Sequence, residues 1–418
     1  MSSLSERPIL IAGGGPVGVI TALALARQAL PVHVFEAETK VNDAPRAATT
    51  HAATLEMLEE LGLIEEVIRR GLVEPLFRIW DRSTSKLVAE FDFGNLKNDT
   101  RYPFAVQCEQ HKLANLAIER LRAFPHARVE FSARVRSIWQ SSDAVEITVE
   151  TAAATRTVKG SYLIGADGGR STVRKCLDIA FEGYTHPERF LILTTPFDIG
   201  TRFPGCTRNY LSHPEDWCAF FKVSGDDGKG LWRVLSSTRL DQTEAELFDG
   251  QAIEHRLQKF IPKEGRYEVV HRNLYNVHQR VAAGFRKGRV FLVGDAAHVN
   301  NPLGGLGLNF GIHDAIELTG LLGRVLRREA SADILDLYER RRRPLNIEFV
   351  QQQTVENKKR MEEKDPIARV RNFAQLAATA ADPVAHRAYL LRASLLGSLK
   401  RRRQWQANPS QSMPEGTN

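Results

Sequence analysis

Apolar positions fall into three regimes along the 418-residue chain. Near its start, "RPILIAGGGPVGVITALALARQALPVHVFEAE" runs from a short apolar stretch, Pro8 to Ala12, through a glycine turn into an Ala/Leu-rich segment, Val19 to Gln28, and then to a second apolar stretch, Val32 to Phe35. Short continuous runs bounded by turns predict buried strands, and the segment between them predicts a helix, so this part reads β-turn-α-β. A similar strand, Val290 to Val293, stops at Gly294-Asp295 and leads through a glycine-filled turn into an alanine-lined helix. Between Phe181 and Arg280 the pattern changes to period two: Trp217, Ala219, Phe221 and Val223 share one face, as do Trp232 and Val234. With Phe77 to Phe93, these runs predict a half-buried sheet. From Leu345 onward the chain turns helical, as in "DPVAHRAYLLRASLLGSL", and ends in a polar stretch.

The regimes predict an α/β fold assembled discontinuously. Residues 1–75, 101–180 and 281–344 form a nucleotide-binding domain, and 76–100 with 181–280 form an inserted, mainly-β substrate domain. Residues 345–403 form a C-terminal helical region packing on the sheet or on a second subunit, and 404–418 form a disordered tail. A composition of 43% hydrophobic and 26% charged residues is that of an ordinary globular protein.

Composition also narrows the chemistry. Cys108, Cys176, Cys206 and Cys218 are far apart, with no CxxC pair and no His/Cys cluster at metal-ligand spacing, which argues against a metal site and a disulfide framework. No apolar run is long enough to span a bilayer and the first residues lack signal-peptide character, so the expected location is cytoplasmic. The net charge of +7 is concentrated after Leu321, where 19 Lys/Arg face 11 Asp/Glu, in runs such as "RRRRP" and "KRRR". Solvated helix faces account for these runs, and no aromatic platform or DNA-reading motif accompanies them, so nucleic acid is not an expected partner.

The glycine turn carries the first chemistry. Gly13, Gly15 and Gly18, with Pro16 and Val17 between them, form a GxGxxG between a strand and a helix, and Glu36 ends the second strand. In that context Gly13 makes the tight turn, Gly15 admits a diphosphate to the helix N-terminus, Gly18 permits close packing, and Glu36 accepts from a ribose. NAD and FAD share this fingerprint. The second glycine-rich turn, Gly304-Gly305-Leu306-Gly307, lies far downstream and favours the longer cofactor, FAD, and Asp295 stands at the carboxyl end of a strand, where open α/β sheets bind ligands.

Three separated motifs in this order, the GxGxxG with Glu36, "YLIGADGGRSTVR" (Tyr162 to Arg174) and "GRVFLVGDAAH" (Gly288 to His298) continuing into "NPLGGLGLNFGIHDA", resemble the single-component flavin monooxygenases related to p-hydroxybenzoate hydroxylase. The resemblance covers roughly Ile9 to Arg343. It implies an FAD-binding Rossmann-like domain of the glutathione-reductase type, with Asp295 on the ribityl chain and the peptide N–H groups near Leu308 and Asn309, beside Gly305, at the flavin pyrimidine edge. It further implies that the Pro302 carbonyl lines the substrate side of the ring, with Arg46 near the diphosphate, Gln107 close to the flavin, and Asp167 structural or cofactor-orienting. His298 is open between a base and a residue packed behind the flavin loop.

The reaction so implied is reduction of FAD by NADH or NADPH, formation of a flavin C4a-hydroperoxide with O2, and transfer of one oxygen to an aromatic ring, with no protein nucleophile. An oxidase, an epoxidase, an antibiotic-modifying monooxygenase and a non-catalytic FAD sensor are the alternatives. Relatives acting on hydroxybenzoates place Arg and Ser on the substrate sheet, where the matching positions here are Phe221, Val223 and Trp232. A pocket of Phe221, Trp232 and Pro302 has no cation for a carboxylate, which predicts a neutral or weakly acidic aromatic or polycyclic phenol and not a small benzoate. The expected assembly is a monomer or homodimer.

Overall fold

The computed structural model describes residues 7–407. Its first sheet has six strands in the order Arg286–Lys287, Val290–Leu292, Leu163–Gly165, Ile9–Ala12, Val32–Phe35, Ala127–Glu130, parallel except for the short Arg286–Lys287 edge. Its central strands are buried almost throughout because helices cover both faces, which is why they read as unbroken apolar runs. Helix Pro16–Ala26 is buried nearly all round and packs against helices Gln110–Leu121 and Gly307–Leu326. An antiparallel three-stranded sheet, Arg134–Gln140, Val145–Glu150 and Thr155–Gly160, branches from this layer.

The second sheet has eight strands, in the order His298–Val299, His271–Ala282, Phe181–Thr195, Leu231–Ser237, Cys218–Val223, Arg208–Ser212, Leu76–Asp81, Lys86–Asp92. Its period-two pattern separates two cores. On one face Leu191, Leu193, Phe220, Trp232 and Val234 pack with Ile253, Leu257 and Phe260 of helix Gly250–Phe260. On the other, Phe190, Ile192, Trp217, Ala219 and Leu235 pack with Leu303 of the glycine-rich turn and Met361. Trp232 therefore points away from the glycine turns, and its indole donates to Asp198 (2.9 Å), which corrects its assignment to the substrate pocket. Alternation identified the two faces, but both are buried, so hydrophobicity could not say which one meets the ligand.

The C-terminal helices, Gln352–Met361, Pro366–Ala381, Pro383–Ala393 and Leu396–Ala407, close over one end of this sheet. The last helix contains Gln404 to Ala407, so a disordered tail does not begin at residue 404; residues 408–418 lie outside the described part. Its basic run is paired within the chain: Lys400 with Asp99 (2.5 Å), Arg401 with Glu348, Arg402 with Glu317, and Arg403 with Glu56 (3.0 Å). In "RRRRP", Arg341 bonds Glu317 and Arg342 bonds Asp314, each at 2.8 Å and each buried, where solvated faces were expected.

Candidate active site

The two glycine turns meet at the carboxyl end of the parallel sheet. Gly13 adopts φ +105°, and a Cβ there would lie 2.3 Å from the Ala166 carbonyl; at Gly18 it would lie 2.0 Å from the Gly13 carbonyl. A Cβ on Gly15 would meet nothing within 4 Å, so the surface above this turn is open. Helix Pro16–Ala26 begins there with no side-chain cap, which leaves its positive end free for an anion. The Glu36 carboxylate accepts from the Gly14 N–H (2.5 Å) and the Glu38 N–H (2.9 Å), closing the turn on the second strand. Val17 wedges against Gly294 and Gly311, joining the first turn to the downstream motif.

Asp295 is exposed along this groove, yet protein crowds it on its other sides and pushes its carboxyl up, against the pull of nearby His298 and Arg46. Arg46 is exposed on a loop that the second sheet pins in place, Arg233 donating to the Arg46 carbonyl (2.8 Å) and Asn273 to that of Pro45 (3.1 Å). Gln107 is fully buried; its carbonyl accepts from Thr49 (3.0 Å) and its Nε2 has no partner. Helix Gly307–Leu326 starts beside Gly305 (φ +69°), again without a side-chain cap, so the N–H groups of Leu308 and Asn309 stand at a second free helix end. The Asn309 side chain is already committed, accepting from the His51 N–H (2.8 Å) and donating to the carbonyls of Thr49 (2.8 Å) and Gly305 (2.6 Å). The Pro302 carbonyl accepts from Gly305 N–H (2.9 Å) within the turn.

Two motif residues are set back from this groove. Asp167 accepts from the Ser171 hydroxyl and the Thr172 and Val173 N–H groups, capping helix Thr172–Cys176. His298 is completely buried and bonded to Asp314 (2.7 Å), itself held by Arg342, so it packs behind the turn.

A cleft lies between the glycine-rich turn, the second sheet and the C-terminal helices. It holds about 600 Å³ of empty space when its open mouth is included. Phe77, Ile79, Phe93, Leu303 and Met361 form apolar walls, and Arg208, Tyr210 and His51 supply the polar end. Arg208 donates from Nε (3.0 Å) and Nη2 (2.9 Å) to the Tyr210 hydroxyl oxygen and from Nη2 to the Gly304 carbonyl (3.2 Å). Burial and the charge of Arg208 push His51 down to about 3, so it is neutral; Nε2–H then donates to the Gly304 carbonyl (2.8 Å) and Nδ1 keeps its lone pair.

Phe221 lies on this face of the sheet, directly paired with Arg208 on one side and Arg233 on the other, but does not itself line the cleft. The inner face thus carries two guanidinium groups, which overturns the expectation of a wall without a cation. Sequence reasoning missed Arg208, Tyr210 and His51, and it gave the C-terminal helices no part in the pocket, although Asn357, Arg360, Met361 and Tyr389 line it.

Comparison with known proteins agrees with this arrangement. A family model described as an FAD binding domain matches residues 6–353. The chain belongs to this FAD-binding family, among its flavin-dependent aromatic monooxygenases. It is 34% identical to a para-nitrophenol 4-monooxygenase of Pseudomonas sp. (strain WBC-3), over 92% of this chain and 94% of that one. It is 36% identical to a 6-hydroxy-3-succinoylpyridine 3-monooxygenase of Pseudomonas putida (strain DSM 28022 / S16), over 87% and 91%. The crystal structure of p-nitrophenol 4-monooxygenase from Pseudomonas putida DLL-E4 superposes with a TM-score of 0.87 at 32% identity, covering 93% of this chain and 98% of that one. FAD fits the groove on its own evidence: two uncapped helix ends, open space over Gly15, the exposed Asp295 and the unpartnered Gln107 amide.

Proposed function

We propose that this protein consumes NADH or NADPH and O2 to place one oxygen atom on a small phenolic or hydroxylated heteroaromatic ring. The observation that carries this reading is the cleft, whose apolar walls suit a single flat ring, with the Arg208–Tyr210 pair at one end and the glycine-rich turn beside it. The compounds named for the two relatives, para-nitrophenol and a hydroxylated pyridine, are single rings of this kind. Gly13, Gly15, Pro16, Val17, Gly18 and Glu36 would hold the adenosine-diphosphate half of FAD. Arg46 and Asp295 would hold its middle, and Gln107, Gly305 and the N–H groups of Leu308 and Asn309 its ring.

Bound FAD supplies electron acceptance and oxygen activation, and the chain supplies binding, orientation and dryness. Because the Tyr210 oxygen accepts both Arg208 N–H groups, its own hydrogen is left to turn toward the cleft, where it can exchange a proton with a substrate hydroxyl. Neutral His51 holds the Gly304 carbonyl and so fixes the turn against which the ring lies. Phe77, Ile79 and Met361 keep water from that face. A cytoplasmic location goes with this reading, since the reaction draws on NADH or NADPH.

The test is the absorbance spectrum of the purified protein, then NADH and NADPH consumption with and without a panel of phenols. Bound flavin, oxidation accelerated by a phenol, and a product heavier by one oxygen are the expected results. Bound flavin with no phenol accelerating either nicotinamide would overturn the reading in favour of another flavin reaction or a sensor.

A further inference from the structure

Resting on the reading above, we infer that Arg208 makes the cleft selective for substrate in its ionised form, the phenolate over the phenol. Arg208 is 5% exposed, forms no ion pair among the described residues, and leaves Nη1 without a partner. Three other buried guanidiniums have carboxylates: Arg342 has Asp314, Arg341 has Glu317, and Arg369 has Asp81. Two have none. Arg174 spends its N–H groups on the Ala296 and Gly169 carbonyls and stacks on Phe181. Arg233 donates to the Arg46 carbonyl, leaves its Nε without a partner and does not line the cleft, so Arg208 is the buried unpaired guanidinium that faces it. A buried cation without a counter-charge is costly, and the cost is offset when an anion arrives.

The surroundings leave that place to the ligand. The cleft is lined by two arginines, Arg208 and Arg360, and by no Asp or Glu. His51 is neutral, and Tyr389 lies against Arg360 with its hydroxyl pushed up by burial, so neither supplies negative charge. Glu74, an acid that feels the Arg208 charge, accepts from the Thr207 hydroxyl, and burial pushes its carboxyl up, toward the neutral form. Ionisation also enriches the ring carbons in electrons, the form of the substrate that accepts an electrophilic oxygen.

The experiment is a titration of flavin absorbance in the FAD-loaded protein with a phenol that ionises near neutral pH, repeated across pH, for the wild type, Arg208→Gln and Arg208→Lys. The methyl ether of the phenol and an aromatic carboxylate serve as probes beside it. In the wild type the dissociation constant should fall about tenfold per pH unit until the phenol is fully ionised. In Arg208→Gln, binding of the phenolate should weaken on the order of tenfold to a hundredfold and the pH dependence should flatten. Arg208→Lys should recover part of both, and the methyl ether should not distinguish the variants. Equal wild-type affinity on both sides of the phenol's ionisation overturns the inference, as does an unchanged profile in Arg208→Gln with its flavin spectrum intact. A loss confined to the carboxylate probe also overturns it, assigning the arginine to a side-chain acid. If the profile behaves as expected but no phenol accelerates nicotinamide oxidation, the proposed function fails and the binding inference stands.

Discussion

At the scale of single residues, the glycines were readable because each does something only glycine can: a Cβ at Gly13 or Gly18 would collide with backbone. Trp232 was not readable, and its true environment makes a prediction. Trp232→Phe removes the hydrogen bond to Asp198 and some packing, so denaturant unfolding should show a loss of about 1–2 kcal/mol, with KM for the phenol unchanged. A raised KM at unchanged stability would return this residue to the pocket. Arg208 escaped notice because a lone arginine in the short strand Arg208–Ser212 carries no periodic signal, and the three-strand row Arg208, Phe221, Arg233 exists only after pairing. His51 and His313 were equally silent. Burial depresses both, His51 to about 3, while the unfolded chain protonates them near 6.5. Below about pH 6.5 the unfolded state therefore binds more protons, so stability is full above that pH and falls as it drops, by about 1.4 kcal/mol per pH unit for each histidine. Denaturation curves between pH 7 and 5 should show this slope, and His51→Gln should reduce it by one proton; equal slopes in both proteins would refute the assignment.

Among the elements, strand-helix alternation at the first glycine motif was legible because the crossover from Ile9–Ala12 through Pro16–Ala26 to Val32–Phe35 is local in sequence, whereas the neighbouring strands Leu163–Gly165, Val290–Leu292 and Ala127–Glu130 join the sheet from far downstream. The C-terminal helices were recognisable as helices, but their docking was not, because their ion-pair partners Glu56, Asp99 and Glu317 lie far upstream. The pairs differ in worth. Glu317 is almost fully buried between Arg341 and Arg402, whereas Arg403 is largely exposed opposite Glu56. A double-mutant cycle with Arg402→Met and Glu317→Gln should give a coupling of about 1–3 kcal/mol in unfolding free energy. The corresponding cycle at Arg403 and Glu56 should give under about 1 kcal/mol and fade with salt. Equal couplings would mean that the last helix is held by its apolar contacts, Leu396 and Leu399, and not by its charges.

For the whole molecule, the helices that sequence reasoning left at the periphery complete the site. A second, outer cleft runs between helices Gln352–Met361, Pro366–Ala381 and Pro383–Ala393, and it shares Arg360 and Tyr389 with the inner one. The Tyr389 ring stands between them, stacked on Phe91 at 4.1 Å, with Arg360 at its hydroxyl. Oxygen transfer depends on keeping water away from the activated cofactor, and this ring is the partition on the helical side. Tyr389→Ala should join the two spaces and admit water. Nicotinamide oxidation stimulated by the phenol should continue, while hydroxylated product per nicotinamide falls severalfold and hydrogen peroxide rises to match. Tyr389→Phe keeps the stacked ring and should stay coupled. Product quantified by chromatography against peroxide released decides the matter: a Tyr389→Ala enzyme that remains fully coupled would show that the seal is made by the sheet and the glycine-rich turn alone.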